Sequence, residues 1–266
     1  MPSDASFDPA AVLAAAHAAG GPVPFPGDKP AALASAEAIQ DALIARCGWT
    51  AAAWKLGATT HAARAALGLP RAFSGLIPAA RVHDSGARLP MRIGGVAVGV
   101  EVEPAVRIAR DVTAGDLPSP DRVGDLVASA HCAIEVPLTR FAALGSEGPL
   151  ALVADNGASG HAVIGPAAPR AALEGPLTAS VSAGGTTLAT GDRTALLALP
   201  LALLHDHLVR VTGRGYAVRA GEVVLLGSLT PYRAPPPPAV VTVAIEGMGE
   251  VTLRVEDEEG PPADDA

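Results

Sequence analysis

The sequence predicts an α+β fold in which helices come first and strands follow. Three observations carry this reading. Cap and stop signals bound a helix over 8–19 and apolar residues recur at helical spacing through 31–47, the period falls to two from Gly94 onward, and Gly/Pro/Asn turn signals punctuate the later runs. At 266 residues and 49% hydrophobic the chain can bury a full core. The expected organisation is an N-terminal helical subdomain over 1–50, a β-rich domain over 51–255 and a disordered acidic tail over 256–266.

Aromatic residues make up only 3%, so Ala, Val, Leu and Ile must fill the core, and stacking on nucleic-acid bases is disfavoured. The formal charge of −8 and a pI near 5.3, with no Lys/Arg cluster, argue against phosphate-backbone binding. No apolar run reaches the roughly 18–20 residues of a membrane span, and no basic leader precedes an apolar segment, so a cytoplasmic protein is expected. Cys47 and Cys132 are too few for a disulfide framework and read as reduced, small hydrophobes.

Asp8 as N-cap, Pro9 at the first turn and Gly20-Gly21 as a stop predict a first helix over 8–19. A second runs from Ala31 to Cys47, and its apolar face is a candidate oligomer contact. Trp54 to Ala58 reads as a short strand, His61 to Leu67 as a short helix, and Pro70 to Pro90 as a long irregular loop of the lid type. A strand is expected over Ala97–Glu103, ended by Pro104, which has no N–H to give a ladder. Val123–Ala130 reads as a helix and His131–Pro137 as a buried strand carrying one acid, Glu135. Leu150–Ala154 is read as a strand running into Asp155-Asn156-Gly157-Ala158-Ser159-Gly160, where small residues allow close backbone approach. A hairpin follows over Ala183-Gly184-Gly185, then a helix over Thr194–Gly213 whose His205 and His207 point apart and read as polar-face or boundary residues. Strands near 222–226, 240–245 and 251–255 complete the chain.

Glu101 and Glu103 stand two apart on a strand and so share one face, while Val98, Val100 and Val102 face the other. Taken alone, the pair reads as a solvated strand face. Its alternative is a site where a divalent cation offsets the repulsion between two close carboxylates. The positive charges are almost all Arg, with Lys29 and Lys55 the only lysines; Lys29 reads as loop surface, and Lys55 as either a strand end or a proton-exchanging group.

Several motifs in order resemble the 2-oxopent-4-enoate hydratase and 2-oxo-3-hexenedioate decarboxylase group of the fumarylacetoacetate hydrolase superfamily. They are Ala38-Ile39-Gln40, Trp54-Lys55-Leu56-Gly57, Val100-Glu101-Val102-Glu103 with Arg110-Asp111, Ala133-Ile134-Glu135 with Arg140, Asp155 to Gly160, Thr190-Gly191, and Gly221 to Thr230. The resemblance implies a mixed β-sheet roll or sandwich of the fumarylacetoacetate hydrolase type, with Glu101, Glu103 and Glu135 holding Mg²⁺ or Mn²⁺. It makes Lys55 the general acid/base or an orienting group, and places Ser159, Ser228 and Thr230 around a substrate carboxylate. Departures stand at Glu37, Leu138 and Leu226, and the segment Gly75–Arg81 lacks acids and carries Arg81, which would meet a second substrate carboxylate if that segment folded inward.

The first expectation is hydration of a 2-hydroxy-2,4-dienoate to a 4-hydroxy-2-oxo acid by a homo-oligomer acting on a small 2-oxo acid. Decarboxylation of a 2-oxo-3-enedioate comes second and acylpyruvate hydrolysis third; a metal-binding scaffold without turnover is the alternative from another class.

Overall fold

The structure is a computed structural model and describes residues 8–90 and 92–256. Its helices are α1 (Pro9–Ala19), α2 (Leu33–Cys47), α3 (His61–Leu67), α4 (Pro149–Ala154) and α5 (Pro200–Gly213). Its strands are β1 (Ala51–Gly57), β2 (Phe73–Pro78), β3 (Val82–Asp84), β4 (Ala87–Pro90), β5 (Arg92–Ile93), β6 (Val96–Ala97), β7 (Glu101–Ile108), β8 (Val127–Val136), β9 (His161–Ile164), β10 (Ala179–Ala183), β11 (Thr186–Gly191), β12 (Val223–Leu225), β13 (Ala239–Ile245) and β14 (Gly249–Glu256). The α+β class is as the sequence predicts. The acidic tail expected from Glu256 lies outside the described residues except for Glu256 itself, which ends β14 in register with Pro90 of β4.

One sheet has seven strands in the order β2-β1-β12-β7-β8-β9-β3. Its two edges, β2 and β3, are joined by the three-residue turn Ala79–Arg81. Laid flat, six interstrand steps of about 4.8 Å would part those edges by roughly 29 Å, while the link spans at most about 14 Å. The sheet therefore curls into a roll. Its inward face carries Ala53, Ile77, Ala105, Ala133, Ala162, Val223 and Leu225. Four alanines share this narrow bore with a few larger aliphatic side chains. The opposite face, with Trp54, Leu56, Val102, Val106, Ile134 and Val163, packs with Val181, Val241, Val243, Val251 and Leu253 of the second sheet, β11-β10-β13-β14-β4.

Helix α1 starts where Asp8 accepts from the N–H groups of Ala10 and Ala11. It packs with α2 and α4 over a core of Leu13, Phe25, Leu33, Ala36, Leu43, Phe141 and Val153 that also takes in Phe73 of β2. The apolar face of α2 is consumed there, so it is not the oligomer contact that its sequence invited.

Four expectations are corrected. Residues 70–90 hold three strands in place of a lid loop, because Phe73–Ile77 is a buried run that fills the roll's edge. Leu150–Ala154 lies in helix α4, with Pro149 at its first turn, since a short apolar run fits either element and Pro149 favours the helix. Val123–Ala130 divides into a 3₁₀ turn through Leu126 and the start of β8. Pro104 stands within β7 and does not end it. The Pro104 carbonyl accepts from Leu226 N at 2.9 Å, so its missing N–H points the same way, to where β12 has already ended.

His207 is likewise no boundary residue. It is fully buried, its Nδ1 lies 2.9 Å from Ser74 Oγ, and burial pulls its imidazole down to about 3. The close approach of β2 to the chain at 156–159 depends on a glycine. A Cβ on Gly75 would fall 1.9 Å from Ser159 Oγ and 2.4 Å from the Asn156 carbonyl oxygen. Gly75→Ala is expected to cost about 1–3 kcal/mol in denaturant unfolding; an unchanged midpoint would show that this contact is loose.

Candidate active site

The register that curls the sheet also assembles a polar mouth. Glu101 and Glu135 are direct cross-strand partners on β7 and β8, and Glu103, opposite Ala133, is diagonal to Glu135. All three share the inward parity of Ala105 and Ala133. Lys55 shares the inward parity of Ala53 on β1, two strands from β7. The bore is thus closed by small and aliphatic side chains below and opens on one ammonium and three carboxylates above.

Each of the three carboxylates offers an oxygen within 4.8 Å of the others. Glu103 and Glu135 are each 1% exposed. Burial, then the charge of Glu135, pushes Glu101 up to about 7, and the same causes hold Glu103 well above the usual carboxylate range. Two carboxyls pushed above their ordinary range, packed against a third acid, are a poor charge arrangement by themselves. They form a hard-oxygen donor set that fits a small divalent cation. Glu103 Oε2 accepts from Gly227 N at 2.8 Å, which fixes that carboxylate from the β12 side.

Lys55 Nζ lies 3.1 Å from Glu135 Oε1, an ion-pair contact that does not complete a hydrogen bond to that oxygen. The Phe73 ring centroid is 5.5 Å from the same nitrogen. Burial alone would lower the Lys55 pKa, but Glu135 and Glu101 outweigh it and the net shift is upward. Lys55 is a charged donor in this environment.

The wall opposite β7 is the segment Asn156-Gly157-Ala158, with φ values of 53°, 63° and 55°. Left-handed backbone at Asn156 and Ala158 costs roughly 1–2 kcal/mol per residue and must be held in place. Asn156 Oδ1 accepts from Leu76 N at 2.9 Å and from Gln40 Nε2 at 3.1 Å, and its Nδ2 donates to Leu76 O at 2.8 Å. Asp155 accepts from Thr139 Oγ1 and Arg140 N, each at 2.7 Å, and pairs with His17 at 2.9 Å. The residues of the Asp155 to Gly160 motif act by pinning a strained loop against the cavity.

The cavity holds about 610 Å³ and is lined by Lys55, Glu101, Glu103, Glu135, Ser228 and Thr230 at one end. The Thr230 hydroxyl is buried without a partner, while Ser228 Oγ donates to Thr230 O at 2.6 Å. The structure does not bring Ser159 or Arg81 to this cavity. Ser159 sits behind the loop, with its Oγ buried and unpaired against Gly75. Arg81 follows the buried strand β2, and its guanidinium lies over Trp49, 5.1 Å from the ring centroid. Residues the sequence reading passed over include Thr59, Thr60, Phe73, Tyr232 and the cavity side of α3. The short helix His61–Leu67 was readable in the sequence, but nothing in the sequence showed what it faces.

Residues 49–256 match the family described as fumarylacetoacetate (FAA) hydrolase, C-terminal. The chain belongs to the fumarylacetoacetate hydrolase family. A 2-keto-4-pentenoate hydratase of Paraburkholderia phymatum is 33% identical to it over 203 residues, 74% of this chain and 75% of that protein. The solved 4-oxalocrotonate decarboxylase from Pseudomonas putida G7, complexed with magnesium and adipate, superposes with a TM-score of 0.77 at 20% identity, covering 92% of this chain and 95% of that one. Fumarylpyruvate hydrolase from Pseudomonas aeruginosa, in complex with Mn²⁺ and pyruvate, gives 0.58 at 18% identity over 77% and 89% of the two chains. These two solved structures share the fumarylacetoacetate hydrolase fold with this chain.

Within that fold the departures have partners of their own. Glu37 takes a paired contact from Arg71, at 2.9 and 2.7 Å, and lies 3.8 Å from Arg214. Leu138 and Leu226 are buried, and their backbone N–H groups each donate at 2.9 Å, to Ala158 O and Pro104 O. None of the described helices is long and apolar enough to cross a membrane.

Proposed function

We propose that this family member is a divalent-metal-dependent hydratase that adds water to a 2-hydroxy-2,4-dienoate and gives a 4-hydroxy-2-oxo acid. One observation favours hydration over decarboxylation of an enedioate. Among the described residues Lys55 is the one lysine or arginine lining the cavity, and it is paired with Glu135. A second substrate carboxylate would have no arginine or lysine to receive it.

Glu101, Glu103 and Glu135 hold Mg²⁺ or Mn²⁺ in this reading. When bound, the cation supplies positive charge beside the oxo and carboxylate oxygens of the substrate and stabilises negative charge developing there. Thr230 and Ser228 orient the acid head through hydroxyl and backbone groups. Lys55, held protonated by its acidic neighbours, donates a proton to the substrate and regains one from solvent. The balance is one water: the enol hydroxyl gives up its proton, C5 and C3 each gain one, and C4 takes a hydroxyl. Phe73, Pro137 and Leu152 keep bulk water from the reacting carbons.

The test is an assay of purified protein with 2-hydroxydienoates and 2-oxo-enedioates, with and without Mg²⁺, following water addition against CO₂ release. Metal-dependent hydration is the expected result; CO₂ release without hydration would replace this reading by the decarboxylase. A homo-oligomer is proposed on the family resemblance, and light scattering that gives a monomer mass would overturn it.

A further inference from the structure

Beyond the polar end the cavity changes character. Its remaining walls include Ala62, Ala63, Ala66 and Leu67 of α3, facing Leu144 and Leu152. Helix α3 has no buried residue, although four of its seven positions are Ala. Its place is set by hydrogen bonds at its ends: Thr60 Oγ1 accepts from Ala63 N at 3.0 Å, and Arg64 donates to Ala58 O at 2.9 Å and to Pro70 O at 3.1 Å. Leu67 also packs against the neighbouring apolar cluster, but none of the helix's alanines is buried. Its apolar side is left facing a space that is continuous with the carboxylate cluster.

The size of the space points the same way. Cavities of about 300–1,000 Å³ suit drug-sized ligands, whereas a five-carbon dienoate has only about eight non-hydrogen atoms. Such a substrate would fill the polar end and leave the cavity wall formed by α3, Leu144 and Leu152 with no ligand against it. We infer that the substrate carries an extended apolar substituent, alkyl or aryl, on its distal carbon, and that α3 with Leu144 and Leu152 selects for it. This inference rests on the hydratase reading for its chemistry but on the cavity wall alone for its recognition.

Two measurements test it. In turnover, 2-hydroxy-2,4-dienoates bearing hydrogen, methyl, propyl or phenyl at the distal carbon should show kcat/KM rising roughly fourfold per buried methylene, and a terminal carboxylate should fall below the unsubstituted compound. Ala63→Phe, which fills the wall, should reduce the propyl-to-hydrogen ratio by about tenfold or more. In binding, calorimetry of the unaltered Mg²⁺-loaded protein with pyruvate, 2-oxopentanoate and 2-oxooctanoate should show affinity rising along the series. A flat or falling series in both measurements, or a preference for the terminal carboxylate, overturns the inference. If no dienoate is turned over, the hydratase reading falls, and the calorimetric series decides the apolar tail by itself: rising affinity upholds it and equal affinities overturn it.

Discussion

Lys55→Ala is expected to lower turnover by on the order of 10²-fold or more while leaving Mg²⁺ affinity unchanged or tighter. The asymmetry follows from where the ammonium sits. It lies 3.1 Å from Glu135 Oε1 and competes for that carboxylate with any added cation. Removing it takes away a proton carrier and a competitor at once. A charge-preserving variant separates the possible roles. Lys55→Arg keeps a cation beside Glu135, but a guanidinium does not give up its proton in the working range. If Lys55 transfers a proton, Lys55→Arg stays as slow as Lys55→Ala. If it only orients or neutralises, Arg restores most of the rate, and the proton-transfer role is removed. Metal affinity of both variants by calorimetry provides the control, since a collapse there would mean that Lys55 holds the carboxylates in place.

The parts of this site that were legible in the sequence are those fixed by strand parity. Glu101 and Glu103 had to share a face, and Glu135 stood out as an acid inside an apolar run. What joined them was interstrand register, and no local pattern gives register. Pro104 pointed the wrong way because its cost depends on where the neighbouring strand ends, a fact stored more than a hundred residues downstream at Leu226. Arg81 was misplaced for a related reason. Phe73–Ile77 is one edge of the roll, and only closure of the sheet makes it a buried strand rather than a lid. Two misses did carry a readable signal. Gly148-Pro149 ahead of Leu150–Ala154 is a helix start. His207 falls on the stripe Leu203, Leu204, Leu208 and Val211, all buried, so helical spacing alone placed it in the core.

Glu103→Gln is expected to abolish the metal-dependent rate, with a loss of at least on the order of 10³-fold, and yet to stabilise the metal-free protein. The two effects have one cause. Glu103 is 1% exposed, and its carboxyl sits well above its usual range because of burial first and the Glu135 charge second. A neutral amide of the same shape keeps an acceptor for Gly227 N–H and removes the cost of neutralising a buried carboxyl on folding at neutral pH. A gain of about 1 kcal/mol would raise the melting temperature by roughly 2–4 °C. The pH dependence fixes the sign. Carboxyls whose folded-state pKa is raised, Glu101 to about 7 among them, bind more protons in the folded than in the unfolded chain between pH 4.5 and 7. Metal-free stability from these groups is therefore present at low pH and is lost as pH rises, by up to about 1.4 kcal/mol per unit and group. His207, held near 3, works the other way: its contribution is present above about 6.5 and is lost as pH falls. Subtracting the metal-free from the Mg²⁺-loaded melting temperature cancels the histidine and isolates the carboxylates. Because loading displaces their protons, that difference should widen from pH 5 to pH 8 in the native sequence and vanish in Glu103→Gln. A difference independent of pH would mean that the cation binds without these carboxyls giving up protons, and a difference that survives in Glu103→Gln would place the metal elsewhere.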